Sequence, residues 1–216
     1  MRLRFVLLSL VGLAAAVVLV ETWLIQAPHH ARLALQRVAD RTVPEGAVVL
    51  IGDSIIEQLD ATAVAPGALN FGIGGDTSRG LLNRVGGYTS LAKARAVFLE
   101  IGINDILLAT GQDVVANDRL ILAALPKQAR LYLIGILPID EAAVVANSGV
   151  LASNAEIARI NAAAAELCRE RGNCIALQPF GAGPLRADYH TGDGVHLSEA
   201  GNRVFAAALK AALAEP

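Results

Sequence analysis

The sequence is short of several residue types, and each shortage excludes a class of protein. Its 216 residues include two cysteines, too few for a disulfide scaffold or a four-cysteine zinc site. Charged residues make up only 18%, and 18 Lys and Arg against 20 Asp and Glu give a net charge of −2. Without a run of basic residues, this balance provides no electrostatic footprint for nucleic acid. No nucleic-acid partner is therefore predicted.

Apolar residues, by contrast, are abundant. They make up 54% of the chain, which excludes an intrinsically disordered protein. The 20 glycines and 8 prolines are ordinary in number, so a collagen-like or low-complexity chain is excluded as well. The length suits one domain with a substantial core and leaves little room for a second.

The N-terminus carries an uncharged apolar run over residues 5–20, which continues after Glu21 as far as Ile25. As one helix the whole segment would be about 31 Å long, enough to cross the core of a bilayer. Glu21 and Trp23 would then lie at the interface, where a charge is tolerated and an indole ring is common. Residues 1–25 are therefore interpreted as an uncleaved membrane anchor formed by an apolar helix.

A cleaved signal peptide is the alternative, with Ala14-Ala15-Ala16 as the A-x-A cleavage site. Residues 17–20 continue the apolar run past that site, which argues against cleavage there. Arg2 and Arg4 favour a cytoplasmic N-terminus, although further arginines behind the segment weaken the bias. We expect the rest of the chain to be exported to the periplasmic face and held at the inner membrane by residues 5–25.

The segment that follows, residues 26–46, is predicted to be a juxtamembrane connector with at most a short helix between Pro28 and Pro44. From residue 47 onward, short apolar runs bounded by Gly, Pro or Asn alternate with segments of helical period. This alternation predicts a parallel sheet covered on both faces, a three-layer α/β/α domain over residues 47–216. The predicted strands are 47–51, 68–71, 96–101, 131–136 and 174–177.

The two cysteines flank a predicted helix end at Gly172. Cys168 and Cys174 are close enough to form a disulfide, which would fit an exported domain. Two buried free thiols fit the sequence equally well, and both interpretations stay open.

In such a sheet, functional residues collect in the loops after the carboxyl ends of the strands. After the first strand, Gly52 allows a sharp turn and puts Ser54 at the start of a helix, with its hydroxyl and backbone N–H facing the cleft. After the second strand comes a glycine-rich loop, but Thr77 stands where a dinucleotide-binding loop needs Gly or Ala. A P-loop fails too, because Leu81-Leu82 replace its Lys and Ser or Thr. The loop still offers the Gly75 N–H as a donor.

Two further loops complete the set of polar residues. Asn104 directly follows the third strand, where its amide can donate into the cleft. Before the last helix, Asp193 and His196 are three residues apart, close enough for the carboxylate to hold one imidazole nitrogen while the other takes a proton from a serine. A metal site with His190, His196 and an aspartate is the less favoured alternative, because it lacks a ligand spacing and a second cluster.

Alone, each of these signals fits an ordinary helix cap or turn. Together they supply what acyl transfer needs, namely a nucleophile, a base with its orienting carboxylate, and donors for an oxyanion. The order of the blocks Gly52-Asp53-Ser54, Gly75, Gly102-Ile103-Asn104-Asp105 and Asp193-Gly194-Val195-His196 resembles the SGNH hydrolases, also called GDSL esterases and lipases. The stretch 69–79 is most similar to the platelet-activating-factor acetylhydrolase-like branch.

The resemblance covers residues 48–216 and implies a flavodoxin-like sheet of five parallel strands. It also implies an enzyme that hydrolyses carboxylic esters without a metal or other cofactor. It makes Ser54 the nucleophile, His196 the general base and Asp193 its orienting group. The oxyanion would be held by the N–H groups of Ser54 and Gly75 and the Asn104 amide. The one departure, Ile55 where the family name implies Leu, is a conservative change.

The substrate is not contained in these motifs. Residues 106–112 and the predicted loop 140–153 are rich in aliphatic residues, which suits a short or medium acyl chain, and the aromatic content of 4% argues against a polysaccharide cleft. Three interpretations remain: an esterase or lysophospholipase-like acylhydrolase, a deacetylase or acetyltransferase for envelope sugars, and a non-catalytic binding domain. An intact Ser54, Asp193 and His196 argues against the third.

Overall fold

The computed structural model describes residues 29–181 and 183–215, so the predicted anchor over residues 1–25 lies outside the described residues. Within them, five strands form one parallel sheet in the order β2-β1-β3-β4-β5. This is the predicted three-layer α/β fold, and each predicted strand is present to within one or two residues. The strands are β1 Val48–Gly52, β2 Leu69–Gly72, β3 Ala96–Glu100, β4 Arg130–Ile134 and β5 Cys174–Leu177.

The strands are mostly apolar because helices cover both faces of the sheet. β1 lies between β2 and β3, and Gly52 at its end is in register with Gly72 and with Glu100. The loops that leave these three strands therefore start side by side. The helices are α1 29–40, α2 Ser54–Glu57, α3 Ala61–Val64, α4 Ser78–Val85, α5 Ile103–Leu107, α6 Val114–Ala124, α7 Glu141–Ser148, α8 Asn154–Arg171 and α9 Glu199–Ala214.

One helix, α1, falls in the segment predicted to be a connector. Its Leu33 packs against the core on one face of the sheet. Its buried Gln36 donates a 2.8 Å hydrogen bond to the Gly72 carbonyl oxygen, and Asp40 accepts hydrogen bonds from Thr89 and Ser90. This part of the connector is thus a packed element of the domain.

The segment predicted to be a long loop after Pro138 is largely helical. Asp140 caps α7 by accepting a 3.0 Å hydrogen bond from the Ala143 N–H, and Gly149 ends the helix in the left-handed conformation with φ 71°. An aliphatic, alanine-rich stretch with a capping aspartate and a terminal glycine has the ordinary composition of a short helix. The prediction of a loop is therefore wrong for Glu141–Ser148, which form α7.

Cys168 in α8 and Cys174 in β5 form a disulfide, with 5.0 Å between their Cα atoms. This decides between the two possibilities that the sequence left open. None of the helices in residues 29–181 and 183–215 is both long and apolar enough to cross a bilayer.

A buried carboxyl in α6 leads to a prediction about stability. Asp118 is buried with one oxygen unpartnered, and burial, followed by the charges of Asp105 and Asp113, raises its pKa to about 8. The folded chain thus keeps a proton that the unfolded chain loses near pH 4, and stability falls as the pH rises from there to about 8.

We expect Asp118→Asn to be more stable than wild type at pH 8, by up to about 5 kcal/mol, and the gain to shrink at pH 5. Urea denaturation at the two pH values measures it. Glu170→Gln is the control, because it removes the same charge from an exposed pair with Arg119 and should change stability by less than about 0.5 kcal/mol. An equal gain at both pH values would contradict the titration of Asp118.

Candidate active site

Ser54 is the first residue of α2 and directly follows the β1 turn. Asp53 caps this helix, accepting a 3.0 Å hydrogen bond from the Ile55 N–H. Gly52 is required in the turn, because a Cβ there would lie 2.0 Å from the Glu100 carbonyl oxygen. Packing against β3 thus sets where the chain turns, and the cap sets the start of the helix that presents Ser54.

A chain of hydrogen bonds links Ser54 to the loop before α9. The Ser54 Oγ lies 2.8 Å from Nε2 of His196, and Nδ1 of His196 lies 2.6 Å from Oδ2 of Asp193. The fold therefore brings the three predicted residues together, although Ser54 and His196 are 142 positions apart in the chain. Short contacts on both ring nitrogens fix the orientation of the imidazole.

The Asp193 carboxylate is itself held by its own loop. Its Oδ1 accepts hydrogen bonds from the N–H groups of Val195 and His196, both 2.9 Å, and from the Thr191 hydroxyl at 2.7 Å. Burial alone would raise the pKa of Asp193, but these bonds and the one to the His196 ring outweigh it and hold the pKa well below its ordinary value. Asp193 is thus a fixed anion beside the imidazole.

The second and third loops bring up the other predicted residues. Gly75 has φ 75°, a left-handed conformation that favours glycine. Asn104, near the start of α5, donates through Nδ2 to the Asp76 carbonyl oxygen at 2.9 Å. One of the two N–H groups of the Asn104 amide is used in this way, which orients the amide and leaves the second as a further donor.

Glu57 positions the glycine-rich loop, a role that no motif in the sequence indicates. Its Oε2 accepts a 2.9 Å hydrogen bond from the Gly74 N–H, and its Oε1 lies 3.0 Å from Nε of Arg32 in α1. A Cβ added at Gly74 would lie 3.9 Å from the Ser54 Cβ, so this loop packs directly beside the serine. The only sequence signal was a carboxylate three residues after Ser54, on the same helix.

A buried arginine ties the ends of β1 and β2 to the same loop. Arg84 donates to Asp76 at 2.7 Å, to the Gly52 carbonyl oxygen at 2.9 Å and to the Phe71 carbonyl oxygen at 3.1 Å. Asp105 holds the start of α4, accepting a 2.7 Å hydrogen bond from the Ser78 N–H. Asp53, Asp76 and Asp105 thus act as a helix cap and as anchors of the loops beside the site.

Two buried carboxyls lie beneath Ser54. Asp53 and Glu100 are both fully buried, and their side chains contact each other. Burial, reinforced by the charge of Asp53, raises the pKa of Glu100 well above its ordinary range, and burial raises the pKa of Asp53 to a smaller extent. Since two adjacent buried carboxyls do not both ionise, Glu100 is the one that stays protonated.

The alternative of a metal site at His190 and His196 gains no support from the neighbouring side chains. Within residues 29–181 and 183–215, no group of three or more His, Cys, Asp or Glu side chains could hold a metal ion. Asp188, the nearby second aspartate, is paired instead with Arg186 through two 2.9 Å hydrogen bonds.

A cavity of about 630 Å³ lies between α5, α6 and α8. Its lining is of mixed polarity, with aliphatic Ile106 and Leu151 beside charged Asp113, Glu156 and Arg159. Ser54 and His196 are not among its lining residues.

The match to known proteins agrees with this geometry. Residues 50–204 match the GDSL-like Lipase/Acylhydrolase family, and the chain belongs to that family. It is thus an acylhydrolase-family protein, as the SGNH resemblance predicted. No curated protein gives a significant match.

Several solved structures share the fold. One from Streptococcus pneumoniae, provisionally described as a platelet activating factor, is 28% identical with a TM-score of 0.79, over 93% of this chain and 99% of that one. A GDSL-like lipase from Bacteroides thetaiotaomicron is 21% identical with a TM-score of 0.66, over 86% and 97% of the two chains. The catalytic domain of peptidoglycan O-acetyltransferase A from Streptococcus pneumoniae is 18% identical with a TM-score of 0.54, over 78% and 93%.

Proposed function

We propose that the protein is a serine esterase that hydrolyses carboxylic esters of short or medium acyl chains. The observation that carries the proposal is the unbroken hydrogen-bond chain from Asp193 through His196 to Ser54, at 2.6 and 2.8 Å. In family members with this chemistry, a serine so placed is the nucleophile and the imidazole its base. The chemistry uses only side chains and backbone of this chain.

The reaction follows from these positions. Ser54 Oγ attacks the ester carbonyl carbon while its proton passes to Nε2 of His196, and Asp193 stabilises the imidazolium that forms. The imidazolium returns the proton to the departing alcohol as the C–O bond breaks, which leaves an acyl-enzyme on Ser54. Water then repeats the sequence, with His196 taking its proton, and releases the acid and the free serine.

The oxyanion formed in both steps is assigned to the N–H groups of Ser54 and Gly75 and the free N–H of the Asn104 amide. Asn104→Ala should lower kcat by roughly 10²–10³, the usual effect of losing one oxyanion donor. KM should change much less, because the donor acts on charge that develops only in the transition state. An unchanged kcat would remove Asn104 from the mechanism; a matched control is Asn147→Ala, whose amide bonds only the Ala143 and Gly192 carbonyls.

The low aromatic content of 4% favours an acyl chain over a sugar. The cavity between α5, α6 and α8 has a lining of mixed polarity, in which Ile106 and Leu151 lie beside charged side chains. The second candidate is removal or transfer of an acetyl group on an envelope carbohydrate, supported by the fold shared with the peptidoglycan O-acetyltransferase domain. The same residues would serve either reaction.

We also propose that the domain works outside the cytoplasm, held at the inner membrane by residues 5–25. Support comes from the uncharged apolar run in that segment and from the Cys168–Cys174 disulfide, because disulfides persist in oxidising compartments. Secretion after signal-peptide cleavage is the alternative, and mass spectrometry of the N-terminus of the native protein decides between them.

The first test is hydrolysis of p-nitrophenyl esters from acetyl to dodecanoyl by the purified full chain, beside Ser54→Ala. We expect hydrolysis that disappears in the variant, with an optimum at short or medium chain length. Added sugar or alcohol that diverts the acyl group from water would favour the transferase. No Ser54-dependent hydrolysis at any length would contradict the esterase.

A further inference from the structure

We propose that the face carrying Ser54 is held against a lipid surface, so that the enzyme acts on esters presented by that surface. The inference deepens the proposed function and rests on it, together with the proposed anchor. It follows from where the chain enters the domain and from the apolar side chains exposed at the same edge of the sheet.

The direction of α1 determines where the chain enters. Arg32, near its start, pairs with Glu57 of α2 at 3.0 Å, and Gln36 bonds the carbonyl oxygen of Gly72 at the carboxyl end of β2. Asp40, at its end, bonds the N–H of Thr89 ahead of β3. α1 therefore runs antiparallel to the strands, from their carboxyl ends towards their amino ends, and residue 29 lies at the edge of the sheet that carries Ser54.

The connection between this entry point and the apolar segment is short. Residues 26–28 are all that separates residue 25 from α1. Three residues reach at most about 10 Å, even when fully extended. If residues 5–25 are embedded in a bilayer, the carboxyl edge of the sheet is thus the part of the domain nearest to the lipid.

α1 is also firmly attached, so the domain is not free to rotate about it. Gln36 accepts a hydrogen bond from the Tyr88 hydroxyl as well as donating to Gly72, and the same hydroxyl accepts from Arg84 at 2.8 Å. The Arg32–Glu57 pair adds a second attachment, next to the Gly74 N–H. The orientation set at residue 29 is therefore transmitted to the whole active-site edge.

The same edge exposes large apolar side chains. Leu151, between α7 and α8, is 87% exposed, and Leu108, at the end of α5, is 64% exposed. Val145 of α7 is exposed as well. Charged side chains are exposed at this edge as well, among them Arg79, Asp113 and Glu141. Exposed leucines at the edge where the chain enters the domain fit a domain seated on lipid.

This seating also selects a class of substrate. With the edge that carries Ser54 at the lipid surface, an amphiphile in the bilayer would present its ester at the depth of the headgroups, level with the site. The expected substrate is an ester of an amphiphile in the membrane, in preference to a freely soluble ester.

Depth-dependent quenching tests the orientation. Two single variants of the full chain, Leu151→Cys and Glu45→Cys, are each labelled with a thiol-reactive fluorophore. Glu45 is exposed ahead of β1, at the opposite edge of the sheet. The oxidised Cys168–Cys174 pair does not react with the label. Each labelled variant is reconstituted in vesicles of phosphatidylethanolamine and phosphatidylglycerol that contain a lipid with a nitroxide headgroup. The label at position 151 should be quenched several-fold more than the label at position 45. Equal quenching, stronger quenching at position 45, or failure of the chain to bind the vesicles would overturn the proposal.

A longer tether tests the consequence for catalysis. Insertion of about 20 Gly and Ser residues between Pro28 and His29 would allow an excursion of roughly 25 Å. Hydrolysis of a vesicle-borne ester should fall at least about 5-fold, while that of soluble p-nitrophenyl acetate stays unchanged. Equal vesicle rates with and without the insert would overturn the proposal. Loss of Ser54-dependent hydrolysis of the soluble ester in the parent chain would instead refute the esterase itself, and the quenching result would still report orientation.

Discussion

Ser54→Ala is expected to lower kcat by roughly 10⁶, the loss seen when a serine hydrolase of this kind is deprived of its nucleophile. His196, Asp193 and the oxyanion donors remain in the variant, but without the Oγ no acyl-enzyme forms. Water attacking directly leaves only a small residual rate from binding and oxyanion stabilisation. The measurement is steady-state hydrolysis of a p-nitrophenyl ester, together with a search for acylated protein by mass spectrometry.

The stability of the variant separates chemistry from folding. The one hydrogen bond of the Ser54 hydroxyl is to His196, whereas the cap of α2 comes from Asp53, so Tm should stay close to that of wild type. Ser148→Ala is a matched control, since that hydroxyl bonds only the Val144 carbonyl and the Val150 N–H, and should keep full activity. More than a few per cent of the wild-type rate in Ser54→Ala would rule out Ser54 as the nucleophile.

The fold and the positions of the candidate site residues could be predicted from the sequence because both produce local signals. Buried parallel strands are continuous apolar runs, and each run ends at the loop where polar residues matter. Ser54, Asn104 and the Asp193–His196 pair all lie directly after such a run or before a capped helix. The position of each residue relative to a strand or helix was therefore enough to place it at the carboxyl edge of the sheet.

The supporting residues gave no such signal, because their partners are distant backbone groups. Gln36 bonds Gly72, 36 residues away, and Arg84 bonds the Gly52 carbonyl, 32 residues away. Glutamine and arginine on amphipathic helices are ordinary surface residues, and only the packed structure turns them inward. The buried state of Glu100 was missed for a similar reason, because a carboxylate at the end of an apolar strand ordinarily predicts an exposed side chain.

The disulfide illustrates a third case, in which the residues were identified but their state was not. Cys168 and Cys174 are six positions apart, and that spacing permits either free thiols or a bridge. The turn at Gly172, with φ 84°, brings the end of α8 back beside β5 and places the two Cα atoms 5.0 Å apart. Backbone geometry beyond the spacing decided the outcome.

Asp193→Asn is expected to lower kcat by about 10⁴, the loss that follows when the orienting carboxylate of such a site becomes an amide. The Oδ1 of Asp193 accepts from the N–H groups of Val195 and His196 and from Thr191. In the variant these donors would keep the amide oxygen in place, which turns the amide nitrogen towards Nδ1 of His196. The imidazole must then accept at Nδ1 and carry its proton on Nε2, facing Ser54, and it can no longer take the serine proton.

The loss of kcat in Asp193→Asn should come from the wrong tautomer of His196 and not from misfolding. Two measurements separate these two causes. Asp193→Asn keeps the three loop contacts, so its Tm should fall far less than that of Asp193→Ala, which gives them up. Asp188→Asn is the matched control, because that carboxylate is exposed and paired with Arg186, and it should retain nearly full activity. Near-normal kinetics in Asp193→Asn combined with a large loss in Asp188→Asn would move the orienting role to Asp188, even though the 2.6 Å contact to the imidazole belongs to Asp193.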